Sequence, residues 1–191
     1  MAYLRNLTNP LCTDKENYMG KVVGGATISL DGFINDRYGD LSPLYPDLAE
    51  LRKTEFLQES ILKTGAAVMG RHAYHIGNGD FTDYEYHIPD KVTRGQNEKL
   101  KFHFVTDGIK SAVRQAKAAA GDKTVQVIGG ASTFQQCLDA GLLDEIEIGV
   151  VPLILGEGLR LFAQMDKKIE LEKIRILESP GRTDIRFRVV K

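Results

Sequence analysis

The fold of this chain is decided by one stretch, Val125-Gln126-Val127-Ile128-Gly129-Gly130-Ala131-Ser132-Thr133-Phe134. A short run rich in β-branched residues ends in two glycines, two hydroxyl residues follow, and a helical pattern continues through Leu138. A strand, a glycine turn and a helix start in this order leave backbone N–H groups pointing outward, with the positive end of the helix dipole behind them. The stretch therefore predicts a phosphate site, although two glycines alone also fit an ordinary tight turn.

The composition is typical of one folded domain. The chain has 191 residues, of which 42% are hydrophobic and 27% charged, and this is enough to bury a core. A net charge of −1 and the lack of a long basic block give no reason to expect a nucleic-acid partner. Cys12 and Cys137 are far apart, which favours a reducing compartment over a disulfide. Because no apolar run has the length of a membrane span, we expect a cytoplasmic protein with no membrane partner.

Strands and helices alternate along the pattern, which predicts an α/β fold with a mixed, mostly parallel central sheet flanked by helices. Two runs near the end, separated by a Ser-Pro-Gly turn, predict a C-terminal antiparallel hairpin. Residues 1–20 are polar and are expected to be an irregular extension, so the domain itself is placed at 21–191. The expected strands are 21–28, 65–69, 101–106, 125–128, 144–151, 169–177 and 184–190. The expected helices are 47–63, 111–120 and 132–138. Loops are expected at 35–46 and 75–96.

Two charged patterns bear on the packing of the sheet. In the helix expected at 47–63, with Asp47 as its N-cap, Glu55 and Gln58 fall among the apolar positions. A carboxylate there needs a partner or a pocket, or it lies at the edge of the stripe and reaches water. The arginines between Arg182 and Arg188 have the spacing of a solvated strand face.

Three predicted strand ends carry polar groups of one type. They are Gly70-Arg71-His72, Thr106-Asp107 and the Gly129-Gly130 turn. Because ligands of open α/β sheets bind outside the carboxyl ends of the strands, these residues could line one crevice. An arginine beside such a turn suits a bidentate grip on an additional phosphate, with a surface ion pair as the lesser alternative for Arg71. The residues alone therefore indicate a nucleotide or a phosphorylated ligand.

Five segments together resemble the dihydrofolate-reductase-like family of riboflavin-biosynthesis reductase domains, which form the C-terminal half of bifunctional deaminase–reductases. The resemblance covers about residues 21 to 190, and it is more specific for the fold than for the substrate. The segments that carry it are Ile28-Ser29-Leu30-Asp31-Gly32-Phe33-Ile34, Val68-Met69-Gly70-Arg71-His72-Ala73-Tyr74, Val127-Ile128-Gly129-Gly130-Ala131, Leu142-Leu143-Asp144-Glu145 and Pro152-Leu153-Ile154-Leu155-Gly156-Glu157-Gly158-Leu159-Arg160-Leu161-Phe162.

The resemblance implies NADPH as cofactor and hydride transfer as the chemistry. Ala26 and Ile28 would then pack near the nicotinamide, and Thr106 would lie near the adenosine. Dihydrofolate reductases usually have threonine where this chain has Ala73, which has no hydroxyl for a phosphate, so one contact is weakened and the site is kept. The resemblance assigns the 2′-phosphate and pyrophosphate to Gly70, Arg71 and His72, and the pyrophosphate cradle to Gly129, Gly130, Ala131, Ser132 and Thr133.

Hydride transfer also needs a bound acceptor and usually a proton donor within hydrogen-bond reach. Asp31 is the first catalytic candidate by position and by resemblance, although Asp-Gly is also a good turn. Glu55 is the second, because dihydrofolate reductases keep a substrate-binding carboxylate on the equivalent helix. Phe33 and Gln58 are expected on the substrate side. No metal site is expected, because the histidines lack ligand spacing.

The activity implied by the resemblance is reduction of 5-amino-6-(5-phosphoribosylamino)uracil in riboflavin biosynthesis. Reduction of dihydrofolate is one alternative, since the glycine motifs are shared. A non-catalytic nucleotide-binding or regulatory protein on the same fold is another. We also expect a homodimer.

Overall fold

The computed structural model describes residues 2–5, 20–46, 48–76, 96–97, 100–163, 165, 167–179 and 181–191. Three predictions therefore lie wholly or mostly outside the described residues: the Asp47 N-cap, the loop expected at 75–96 and the extension expected at 1–20. No helix in the described part is long and apolar enough to cross a membrane.

The chain forms ten strands and five α-helices within these ranges, with a 3-10 turn at Ser42–Leu44. The strands are β1 (Ala2–Arg5), β2 (Val22–Ser29), β3 (Thr64–Met69), β4 (Gln96–Asn97), β5 (Leu100–Lys101), β6 (His103–Phe104), β7 (Thr124–Ile128), β8 (Glu145–Val151), β9 (Leu171–Ser179) and β10 (Arg182–Val189). The helices are α1 (Leu48–Arg52), α2 (Glu55–Lys63), α3 (Arg71–Ile76), α4 (Ile109–Ala120) and α5 (Ala131–Asp139).

Eight strands form one sheet in the order β6-β1-β3-β7-β2-β8-β10-β9. The four central strands β3, β7, β2 and β8 run parallel, and the outer strands pair antiparallel on either side. The predicted α/β fold with a mixed sheet and a C-terminal hairpin is confirmed. One part of the extension differs from its prediction, because Ala2–Arg5 is not irregular but forms β1 between β3 and β6.

The main apolar core lies between the sheet and helices α4 and α5. Val22 of β2 and Val125 and Val127 of β7 face it, and each is at most 1% exposed. Phe134 of α5 lies against Gly24 so closely that an added Cβ at Gly24 would stand 2.7 Å from the ring. The predicted strand at 125–128 and the predicted helix after it are therefore the elements on which this layer is built.

The helix expected at 47–63 is in fact two helices. Residues Lys53 and Thr54 interrupt it, and Thr54 takes an extended conformation as the N-cap of α2. The Thr54 hydroxyl accepts a hydrogen bond from the Leu57 N–H at 3.4 Å. A threonine N-cap with Glu55 in the first turn favours the start of a new helix. The helical spacing of apolar residues continues across this break, so the spacing alone predicted one helix.

On the opposite face of the sheet, strands β8 and β10 carry buried charged residues, so the expectation of a solvated arginine face on β10 is wrong for Arg182 and Arg186, whereas Arg188 is exposed. Arg186 is 3% exposed and forms ion pairs with Glu147 of β8 and with Glu59 of α2. Arg175 of β9 joins the same network through Glu59 at 2.8 Å. Burial raises the pKa of Glu147, an effect that the Arg186 guanidinium opposes. The network therefore ties α2 to strands β8, β9 and β10 through ion pairs.

We predict that Gly24→Ala destabilises the fold by about 1–3 kcal/mol, the usual cost of overpacking. The new methyl would meet Phe134 at 2.7 Å and Leu143 at 2.8 Å, and both side chains are buried. Denaturant unfolding measures the change. Gly25→Ala is the matched control, because its methyl points to the other face and meets only the flexible end of Gln126. Equal losses for the two variants would contradict the packing argument.

Candidate functional site

The carboxyl end of β2 extends past the strand beside it. Pairing with β7 ends at Gly25 and Ile128, whereas pairing with β8 continues to Ser29 and Val151. The β7 side of β2 over residues 26–29 therefore has no strand partner and faces the chain where β7 turns into α5. A gap of this kind between parallel strands is where ligands of α/β sheets bind. We refer to it as the β2–β7 crevice.

The turn that closes this crevice suits an anion. Gly129 and Gly130 both have positive φ, 77° and 80°, which side chains other than glycine rarely adopt. Helix α5 begins directly after them, and no side chain caps its N-terminus. The first hydrogen bond inside the helix runs from the Phe134 N–H to the Gly130 carbonyl, so the N–H groups of residues 131–133 are left for a ligand. These donors and the helix dipole fit a phosphate.

Two glycines allow α3 and α5 to meet at this point. An added Cβ at Gly70 would stand 2.5 Å from the Thr133 hydroxyl, and one at Gly129 would stand 2.6 Å from the Ala73 methyl. Thr133 of α5 thus occupies the space that a side chain at position 70 would need, and Ala73 of α3 occupies the space that a side chain at position 129 would need. Ala73, seen in the sequence as a weakened phosphate contact, packs against the glycine turn.

Most of the other predicted cofactor residues lie on α3, β2 and α5. Arg71 and His72 are exposed at the start of α3, beside the glycine turn, and Ala26 and Ile28 are partly buried on β2 against the main core. Ser132 is exposed, and its hydroxyl accepts a hydrogen bond from the Gln136 amide at 3.0 Å.

Thr106 is the cofactor candidate that stands apart. It follows β6, which β1 separates from β3, because Ala2 pairs with both Met69 and Phe104. Two strand spacings amount to roughly 10 Å. The structure therefore brings the Gly70 and Gly129 segments together and holds Thr106 farther out.

Asp31 ties two loops together. Its carboxylate accepts hydrogen bonds from the Ser29 hydroxyl at 2.6 Å and from the backbone N–H groups of Leu155 and Gly156 at 3.1 and 2.7 Å. These donors, the Ser29 hydroxyl above all, lower the pKa of Asp31 to about 2. A proton donor needs a pKa near the working pH, so these contacts oppose the catalytic assignment and favour a structural one.

The same two loops are joined beyond Asp31. The Arg160 guanidinium donates to the Asp31 carbonyl at 2.8 Å and lies 4.3 Å from the centre of the Phe33 ring. Phe33 is only 5% exposed, so its ring is buried rather than open to a substrate. The Asn35 side chain accepts from the Leu159 N–H at 2.9 Å. We call the paired segments 30–37 and 153–160 the loop clamp.

The two candidates on α2 do not reach the crevice. The Glu55 side chain is 77% exposed and pairs with Arg175 of β9, which β8 and β10 separate from β2. The Gln58 amide donates to the Arg52 carbonyl at 2.6 Å and holds α2 against α1. The carboxylate of this helix that joins the ion-pair network on the sheet is Glu59, whose side chain is 18% exposed and which the sequence reasoning missed. Its spacing of four residues from Glu55, on the same helical face, was the available signal.

Comparison with known proteins identifies the family. The family model described as the RibD C-terminal domain matches residues 21–183. The chain belongs to the RibD C-terminal domain family. The protein YyaP of Bacillus subtilis, described as uncharacterized, is 26% identical over 164 residues, which cover 81% of this chain and 86% of YyaP.

Solved structures share the fold of this RibD C-terminal domain. A putative riboflavin biosynthesis protein from Shewanella superposes with a TM-score of 0.64 at 19% identity, over 90% of this chain and 99% of that one. The deaminase–reductase of Thermotoga maritima gives 0.61 at 14% identity, over 90% of this chain and 57% of that one. Dihydrofolate reductase from Enterococcus faecalis, solved with NADP(H), gives 0.60 at 15% identity, over 91% and 99%.

We predict that Asp31 stabilises the fold in a pH-dependent way. Its folded pKa of about 2 lies below the ordinary value of 3.8, so its contribution is present above about pH 4 and is lost as the pH falls toward 2. In Asp31→Asn one acceptor oxygen for the backbone donors of the loop clamp is lost. The melting temperature of this variant should therefore lie below that of the wild type at pH 6, and the gap should close on acidification.

The matched control is Asp36→Asn. The Asp36 carboxylate accepts from the Tyr38 and Asp40 N–H groups inside its own loop and makes no bond to residues 153–160 among the contacts described. It should leave the loop clamp intact. A gap for Asp31→Asn that stays constant from pH 6 to pH 2 would count against the assignment.

Proposed function

We propose that this RibD C-terminal domain protein is an NADPH-dependent reductase of a small heterocyclic substrate. The observation that carries the proposal is the β2–β7 crevice closed by the glycine turn, with α5 directing uncapped N–H groups toward it. The family to which the chain belongs supports it, because its riboflavin-type relatives are reductases.

Each wall of the crevice has a role in this proposal. The N–H groups of residues 131–133 bind the pyrophosphate, and Arg71, exposed at the first position of α3, binds the 2′-phosphate. Ala26 and Ile28 offer a small apolar surface for the nicotinamide ring, whose reduced form supplies the hydride. The loop clamp joins the segments that leave β2 and β8 at this end of the strands.

The proposed substrate is 5-amino-6-(5-phosphoribosylamino)uracil, the compound named for the reductase activity of the Thermotoga enzyme that shares the fold. Dihydrofolate is the alternative substrate, on the strength of the Enterococcus fold. A non-catalytic nucleotide-binding protein is the second candidate function. It is favoured by one observation, that the hydrogen bonds of Asp31 and the position of Glu55 leave the crevice without either predicted proton donor.

Titration with NADPH and NADH, followed by nucleotide fluorescence, tests the proposal. The expected result is tight binding of NADPH and loss of its absorbance only when the uracil substrate is added. Loss of absorbance with dihydrofolate instead would favour the alternative substrate, and binding without turnover on either would favour the non-catalytic protein. Failure to bind either nucleotide would overturn the reductase.

We predict that Arg71→Ala weakens the binding of NADPH by about 1.5–3 kcal/mol, the range for a hydrogen bond to a charged group. NADH should bind nearly as before, because it lacks the 2′-phosphate. The dissociation constants of both nucleotides give the comparison. Arg188→Ala is the control, since Arg188 pairs with Glu172 at the other end of the sheet. Equal losses for NADPH and NADH would place Arg71 away from the 2′-phosphate.

We also propose that the protein forms a homodimer through β9. This strand is one of the two edges of the eight-stranded sheet described, and it exposes Leu171, Ile174 and Ile176 by 42%, 42% and 47%. An exposed apolar edge strand is a ready surface for pairing with another chain, and a second copy is the partner that is always present. Light scattering should give twice the chain mass, and Ile176→Lys should lower it. A monomeric wild type would contradict this.

A further inference from the structure

Three residues stand in a row across the polar face of the sheet near the carboxyl end of β2. Thr27 of β2 pairs with Gly149 of β8, and Gly149 pairs with Asp184 of β10. Because strand residues alternate between faces, Thr27 points away from the side on which Ala26 and Ile28 meet the core. The row therefore borders the β2–β7 crevice from the face opposite to that core.

Arg182 reaches across this row from β10. Its Nε lies 3.1 Å from one Asp184 oxygen and its Nη2 lies 2.7 Å from the other, and Nη1 donates to the Thr27 hydroxyl at 3.1 Å. The guanidinium can lie over β8 only because Gly149 has no side chain. An added Cβ there would stand 3.1 Å from the Arg182 Cζ and 2.9 Å from an Asp184 oxygen.

The bonding of Arg182 leaves donors unused. A guanidinium has five N–H groups, and the contacts described to Asp184 and Thr27 take up three of them. Asp184 balances the charge, so the site offers hydrogen-bond donors without a strong net field. The Arg182 side chain is 10% exposed and is fixed at both ends, which holds the remaining donors in a defined direction.

Charge balance alone accounts for only part of this arrangement. Burial raises the pKa of Asp184, and the Arg182 guanidinium opposes that rise, so Arg182 does stabilise a buried carboxylate. Neutralising Asp184 does not require the third contact to Thr27, which stretches the side chain over β8 to the edge of the crevice. A planar donor group in that position is matched to the carbonyl oxygens of a flat heterocycle.

We propose that Arg182, held by Asp184 and Thr27, binds the carbonyl edge of the substrate heterocycle on the face of the crevice opposite to the main core. This inference rests on the proposed function, since it places the substrate beside the nicotinamide site. It assigns Arg182 to substrate recognition and leaves nucleotide binding to the glycine turn and Arg71.

Calorimetry with the full-length protein saturated with NADP⁺ tests the assignment, because the oxidised nucleotide allows substrate binding without turnover. The probe is 5-amino-6-(5-phosphoribosylamino)uracil. Arg182→Lys keeps the charge beside Asp184 but loses the planar fork, and Gly149→Ala displaces the guanidinium without changing its chemistry. Both variants should bind the probe about tenfold more weakly or worse, the loss expected for hydrogen bonds to a charged group, and should bind NADP⁺ within twofold of the wild type.

Arg188→Lys, at the other end of strand β10, is the matched control and should change neither the affinity for the probe nor that for NADP⁺. If Arg182→Lys does not fold, Gly149→Ala carries the test alone. Unchanged affinity for the probe in a folded variant, or no binding of the probe by the wild type, would overturn the role of Arg182. Failure of the proposed function is distinguishable, because it shows as loss of nucleotide binding by the wild type.

Discussion

The close approach of two helix starts to two strand ends is the constraint on which the rest of the site depends. Because Gly70 has no side chain, Thr133 can lie against it, and because Gly129 has none, Ala73 can lie against it. This exchange sets the start of α3 against the start of α5 and so places the exposed Arg71 beside the uncapped N–H groups of α5. A methyl group at either glycine would push the two helices apart and spoil both halves of the cradle together.

The two faces of the sheet serve this site differently. One face is apolar and is covered by α4 and α5, so β2 and β7 are fixed by packing. The other is lined by charged groups such as Glu147 and Arg186, with Glu59 of α2 paired to them. Buried ion pairs add little net stability but demand defined partners, which fixes the direction of each side chain. Such a face suits recognition of a polar heterocycle, and it supports Arg182 beside the crevice.

Much of the fold could be predicted from the sequence because local signals and tertiary structure agree. The run 125–128, the two glycines and the helix after them form strand, turn and helix as expected, and the resemblance of five segments to one family is confirmed. The Gly70 and Gly129 segments lie together as the sequence predicts, since the ends of neighbouring parallel strands must meet, while their role in binding a cofactor stays a prediction.

The side chains beyond the turn could not be placed in this way. Asp31 looked like an acid near the nicotinamide, but its partners Leu155 and Gly156 lie more than 120 residues later in the chain, out of reach of local pattern. Glu55 and Glu59 share a helical face, and only the positions of β9 and β10 decide that Glu59 is the less exposed of the two. Thr106 depends on β1, whose insertion beside β3 has no local signal in the sequence.

A crystal structure of the protein with NADPH would show which end of the parallel strands binds the nucleotide. We expect the pyrophosphate on the N–H groups of residues 131–133 and the nicotinamide against Ala26 and Ile28. At the amino ends of the same strands, Lys21, Lys117 and Lys191 help to line a cavity of about 410 Å³. The nucleotide bound in that basic cavity, with the glycine turn empty, would contradict the account.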